Sequence, residues 1–163
     1  MKSRAALGNH PLHPAVVSLP IGAFFLAFVA DVAHALTKNA IFYEVAHFAI
    51  GVGILTALLA AVLGLIDYFG VTMSRAGRRL ATIHMVINLA AVALYAISWV
   101  LRRNDGALET PRWPIAFGLA VVPFLMLGIS GWIGGKMTFE HKIGVVEWVD
   151  AEAREIGMRE APK

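Results

Sequence analysis

Histidines in an otherwise apolar chain are the residues whose types and spacing could do chemistry. His10 and His13 fall three apart in His10-Pro11-Leu12-His13-Pro14; His84 is followed four positions later by Asn88; His141 lies beyond the last long apolar run. Neutral imidazole is the commonest protein ligand for transition metals, and a carboxylate or carbonyl usually holds its second nitrogen. Asp67 and Asp31 are the acids placed to serve that purpose. Such a set can coordinate haem iron or a metal ion, or it can relay protons, because imidazole titrates near neutral pH. The chain has no cysteine. Thiolate metal sites, c-type haem attachment, disulfides and a cysteine nucleophile are thereby excluded. No nucleophile–base pattern of an enzyme stands out.

The elements that must position these groups are membrane helices. Apolar residues make up 58% of the 163 residues and the mean hydropathy is +0.69. Four long apolar stretches, at about 14–36, 42–70, 80–101 and 113–135, are separated by short charged segments. About 20 apolar residues cross the roughly 30 Å hydrocarbon core as a helix, and runs of this length are not strands. The sequence therefore predicts an all-α four-helix transmembrane bundle, one domain over residues 1–145. Residues 146–163 are expected to form a short amphipathic tail, since Val146, Val149, Ala153 and Ile156 recur at three- and four-residue steps. One alternative concerns the first span: Lys2 and Arg4 precede it and Ala33-His34-Ala35 fits a signal-peptidase pattern. The run is long for a signal peptide, and Asp31 interrupts it.

Charge gives an orientation. The N-terminus, the loop Val71–Arg79 and the C-terminal tail carry most of the Lys and Arg, with Arg75, Arg78 and Arg79 in one short loop. Lys38, Arg102, Arg103 and Arg112 lie on the other side. The positive-inside rule then expects both termini in the cytoplasm, as for a bacterial inner-membrane protein. Trp99 and Trp113 fall near the outer interface; Tyr68, Phe69 and Trp132 fall near the inner one. Pro14 suits a helix start, and Pro20 and Pro123 are expected to kink the first and fourth spans. The sequence carries no convincing internal repeat. Its basic residues do not form a nucleic-acid surface.

With this topology, Asp67 and His84 lie at similar depth on the two arms of a helical hairpin. His10, His13 and His141 lie at the same end. Four histidines and one aspartate are thus expected to converge at the cytoplasmic end of the bundle. A weaker grouping of Asp31, His34 and His47 falls at the outer end. Ionisable residues at membrane depth are rare and are functional suspects. Packing or snorkelling is the simpler explanation for His34 and His47. The glycines at Gly51, Gly53 and Gly64, and at Gly118, Gly128, Gly131, Gly134 and Gly135, suit close helix approach, or room beside a flat cofactor.

At these residues the chain resembles a bacterial four-helix membrane family, domain of unknown function 2231. The resemblance rests on His10-Pro11-Leu12-His13-Pro14 with Leu19-Pro20-Ile21-Gly22, then Asp31, Gly64-Leu65-Ile66-Asp67-Tyr68 and His84 with Asn88. It closes on Gly131-Trp132-Ile133-Gly134-Gly135, His141 and Gly144-Val145. His34 and His47 fall outside it. The resemblance implies a fold and a set of polar positions, and a context similar to redox modules.

The leading expectation is a small membrane redox subunit, with b-type haem held by His13 and His84. His10 and His141 are the alternates; Asp67, Asn88 and Asp31 support the ligands or carry protons. A transition metal bound by His10, His13, His84 and His141 is the alternative to haem. The partners expected are the lipid bilayer and a redox protein or quinone, with self-association left open. A cofactor-free proton-coupled transporter or channel component is the competing expectation, and a structural accessory protein is the third.

Overall fold

The computed structural model describes residues 3–8, 10–103 and 112–145, the side chain of Arg103 excepted. The expected tail at 146–163 lies outside the described residues. The N-terminal segment makes a two-residue ribbon, β1 (Ala6–Leu7) pairing antiparallel with β2 (His10–Pro11). The helices follow: α1 (Leu12–Val16), α2 (Ser18–Thr37), α3 (Ala40–Gly70), α4 (Arg75–Arg103) and α5 (Trp113–Phe139). Four candidate spans result, with α1 and α2 together forming the first (Leu12–Thr37). Their outward faces are apolar, with Leu36, Phe48, Leu55 and Trp132 each more than two-thirds exposed, as lipid contact requires.

The helix limits follow local chemistry. Asn39 caps α3 by accepting from the Ile41 N–H, and Ser74 Oγ accepts from the Gly77 N–H at the start of α4. The α3–α4 connection is therefore only Val71–Ser74, and Arg75, Arg78 and Arg79 belong to α4 rather than to a loop. The first span is interrupted at Val17, one turn before Pro20. Pro20 has no N–H for the carbonyl of Val16 and its ring crowds that carbonyl, so the distortion falls upstream of the proline. The fourth span continues as helix through Pro123.

The bundle packs as two hairpins. α2 lies along α3 and α4 along α5, each pair in more extensive contact than α3 with α4 or α2 with α5. Between the hairpins sits a core of Phe24, Ala27, Ala49, Ile50, Tyr95 and Ala120. The rings of Phe24 and Tyr95 stack across the seam, with centroids 3.8 Å apart and planes 3° from parallel. Gly53 makes room for this: a Cβ there would come within 2.5 Å of the Phe24 ring. The N-terminal ribbon, the α3–α4 connection and residues 140–145 lie at one end of the bundle, called here the terminal end. The α2–α3 connection lies at the distal end.

Candidate functional site

Of the four histidines expected at the terminal end, two face one another across the seam. His13 stands on α1 and His84 on α4; their ring centroids are 6.5 Å apart and their planes 87° from parallel. The two rings are seated alike. His13 Nδ1 lies 2.8 Å from the Ala60 carbonyl, and the ring rests over Gly64, where a Cβ would come within 3.0 Å of it. His84 Nδ1 lies 3.0 Å from the Ser130 carbonyl, and the ring rests over Gly134, where a Cβ would come within 3.4 Å. A carbonyl can only accept, so each Nδ1 carries a proton, and in the neutral ring the lone pair is on Nε2. This is the second-nitrogen support usual in metal-ligating histidines.

Asn88 belongs to the same cluster, as expected from its place one turn after His84. Its Nδ2 donates to Ser130 Oγ at 2.6 Å and to the His84 carbonyl at 2.7 Å. Ser130 Oγ lies 2.9 Å from His84 Nδ1, so this hydroxyl joins the His84 cluster. From its sequence Ser130 was expected to pack or hydrogen-bond between helices, as its bond with Asn88 of α4 does; its contact with the histidine was not foreseen. Its spacing of four before Gly134, matching Ala60 before Gly64, was the available signal.

The spacing of the rings tests which group would suit them. A metal–imidazole bond is about 2.0–2.1 Å and the ring centre lies about 1.1 Å farther out. Two imidazoles trans on one ion therefore have centroids about 6.3 Å apart, and at a tetrahedral angle about 5 Å. The observed 6.5 Å is of the size that two imidazoles sharing one ion would span.

The other expected groups are elsewhere. His10 is exposed on β2 beside Leu7. His141 follows α5, its backbone N–H bonded to the Lys136 carbonyl and its Cβ near Gly77. Among the described residues no three His, Asp or Glu side chains gather to hold one ion. The structure does not bring the four histidines of the alternative metal set together: His10-Pro11 pairs as a strand and His10 is exposed. Asp67 does not bond a histidine. Its carboxylate accepts from Ser3 Oγ, the Arg4 N–H and the Ala5 N–H at 2.7–2.9 Å, and Arg4 Nε donates to the Gly70 carbonyl. It ties the N-terminal segment down at the end of α3.

At the distal end Asp31 is paired rather than free. Arg102 Nη1 and Nη2 donate to its two oxygens at 2.6 and 2.8 Å, and both side chains are wholly buried. Arg102 Nε also reaches Ser98 Oγ, which donates to the Ala116 carbonyl; Tyr43 OH donates to the Arg102 carbonyl. From the sequence Arg102 was counted only among the basic residues of the outer side. Its spacing was the missed signal: His84, Asn88, Ala91, Tyr95, Ser98 and Arg102 step by four and three along one face of α4. His34 holds the Asn39 carbonyl through Nδ1 and packs edge-on against Trp113, while His47 stacks on Trp99. Neither joins Asp31 in a ligand set.

No curated protein and no solved structure matches the chain. A family described as Predicted membrane protein (DUF2231) matches residues 9–147, a stretch that holds both imidazoles, both glycine seats and the Asp31–Arg102 pair. By that match the chain belongs to the DUF2231 family of membrane proteins.

Proposed function

We propose that this membrane protein is an electron-transfer subunit that holds one b-type haem between His13 and His84. The observation that carries the reading is the pair of imidazoles 6.5 Å apart across the seam, each with Nδ1 held by a carbonyl, so that each Nε2 could ligate. Haem supplies one-electron redox chemistry when bound. The chain's own part is to fix both rings, present two neutral nitrogens and enclose the site in an apolar seam. Gly64 matters because a Cβ there, 3.0 Å from the His13 ring, would make that ring shift; a Cβ at Gly134 would only come into contact with the His84 ring.

The distribution of Lys and Arg supports a site near the cytoplasmic face of a bacterial inner membrane, with both termini in the cytoplasm. A quinone or a second protein would exchange the electron there. Proton-coupled transport is less well supported: Asp31 is engaged by Arg102, and Asp67 by the N-terminal segment. The test is haem content per chain in His13→Ala and His84→Ala, with His10→Ala alongside. Both of the first two should lose the haem while His10→Ala keeps it. Full haem in His13→Ala and in His84→Ala would end this assignment.

A further inference from the structure

Three side-chain pairs between the first span and α4 share one register. His84 follows His13 by 71 positions, Tyr95 follows Phe24 by 71, and Arg102 follows Asp31 by 71. The first span and α4 therefore run in the same direction, and in each pair a residue touches its own counterpart. That is what happens at a two-fold axis between equivalent surfaces. The supporting helices repeat with a register of 70. Ser130 follows Ala60 and Gly134 follows Gly64 by that step, and each pair does the same work for its own histidine. Buried positions recur likewise, Ala46 with Ala116 and Gly53 with Pro123. The expectation of no internal repeat is thus corrected. Identity is sparse, but the contacts repeat.

We infer that the chain is a fused tandem of two equivalent helical hairpins, each giving one imidazole to a shared ligand on the local two-fold axis, with the Ser130 hydroxyl as the positioning group that makes His84 the unequal partner. The inference rests on the haem reading. Parallel repeats about an axis along the membrane normal are a recurring membrane architecture, with sites at the repeat interface. The asymmetry is local. Ser130 Oγ lies 2.9 Å from His84 Nδ1, whereas the counterpart of Ser130 is Ala60; Asn88, which donates to that hydroxyl, has Val17 as its counterpart. A second acceptor on Nδ1–H makes the opposite nitrogen a stronger donor to the metal, which favours oxidised iron.

The experiment is a redox titration of the full-length protein loaded with haem, in the wild type, Ser130→Ala, Ser130→Thr, Ala60→Ser and the swap Ala60→Ser/Ser130→Ala. Removing the hydroxyl should raise the reduced-to-oxidised ratio at the wild-type midpoint by about threefold or more. Ser130→Thr should keep the wild-type midpoint and Ala60→Ser should lower it. The swap should return it close to wild type, because the two halves are equivalent. A wild-type protein that takes up no haem defeats the haem reading and this inference with it. A haem-loaded set with one common midpoint, or a swap that adds a further shift, defeats the inference alone.

Discussion

Replacing Arg102 by Met should be among the most damaging changes in the bundle. The substitution keeps most of the side-chain volume and removes the charge. Asp31 then loses both guanidinium hydrogen bonds, at 2.6 and 2.8 Å, in a site where neither side chain has any exposed surface. Hydrogen bonds to charged groups contribute about 1.5–3 kcal/mol each, but these two share one desolvation cost and do not add. The relevant figure is that for stranding one member of a buried pair, roughly 3–5 kcal/mol. At about 1.4 kcal/mol per decade, this is roughly two to three and a half decades in the folded-to-unfolded ratio. The reverse change, Asp31→Asn, should cost less, on the order of 1–2 kcal/mol. Arg102 is long and close to the end of α4, so it can turn toward the distal interface, which the short Asp31 cannot. Asp31→Leu/Arg102→Met should recover much of the loss, because an apolar pair can replace a buried ion pair. The assay is reversible unfolding in mixed detergent–SDS micelles, read as a double-mutant cycle. A cost below about 1 kcal/mol for Arg102→Met, or a larger cost for Asp31→Asn than for Arg102→Met, would refute the reasoning.

Other perturbations have distinct signatures. Asp67→Ala removes the acceptor for Ser3, Arg4 and Ala5, so limited proteolysis should cut near Arg4 far faster while the helical circular dichroism stays unchanged. Gly53→Ala sets a Cβ within 2.5 Å of the Phe24 ring and should destabilise the bundle by about 1–3 kcal/mol; a neutral result would mean that the Phe24–Tyr95 stack is not held as described. Gly64→Ala should lower haem content more than Gly134→Ala, since the added methyl comes within 3.0 Å of His13 but only 3.4 Å of His84. The opposite order would count against the two glycine seats.

The spans were legible because a membrane demands long apolar runs, and 42–70 and 113–135 were read close to α3 and α5. Their ends were less so. A run of charges from Arg75 to Arg79 reads as loop, yet Ser74 caps a helix there, and the arginines extend from its first turn. His13 and His84 were singled out as a pair because one precedes a helix and the other lies inside one at the same end. The partners of Asp67 and Asp31 were not foreseen. Asp67 binds backbone N–H groups, which leave no trace in residue type. Arg102 was hidden because a charge next to a loop reads as exposed unless its helical face is followed back to His84. The internal repeat was hidden for a related reason. Phe24 with Tyr95, Ala60 with Ser130 and Asp31 with Arg102 preserve places in the packing, not identities.

The most direct test of the proposed haem site is the optical spectrum of the purified full-length protein, expressed with added haem, oxidised and then reduced with dithionite. A Soret band that sharpens and shifts on reduction, at one haem per chain and absent from both His13→Ala and His84→Ala, is the predicted result. A wild-type protein that stays colourless after haem is supplied would contradict the account.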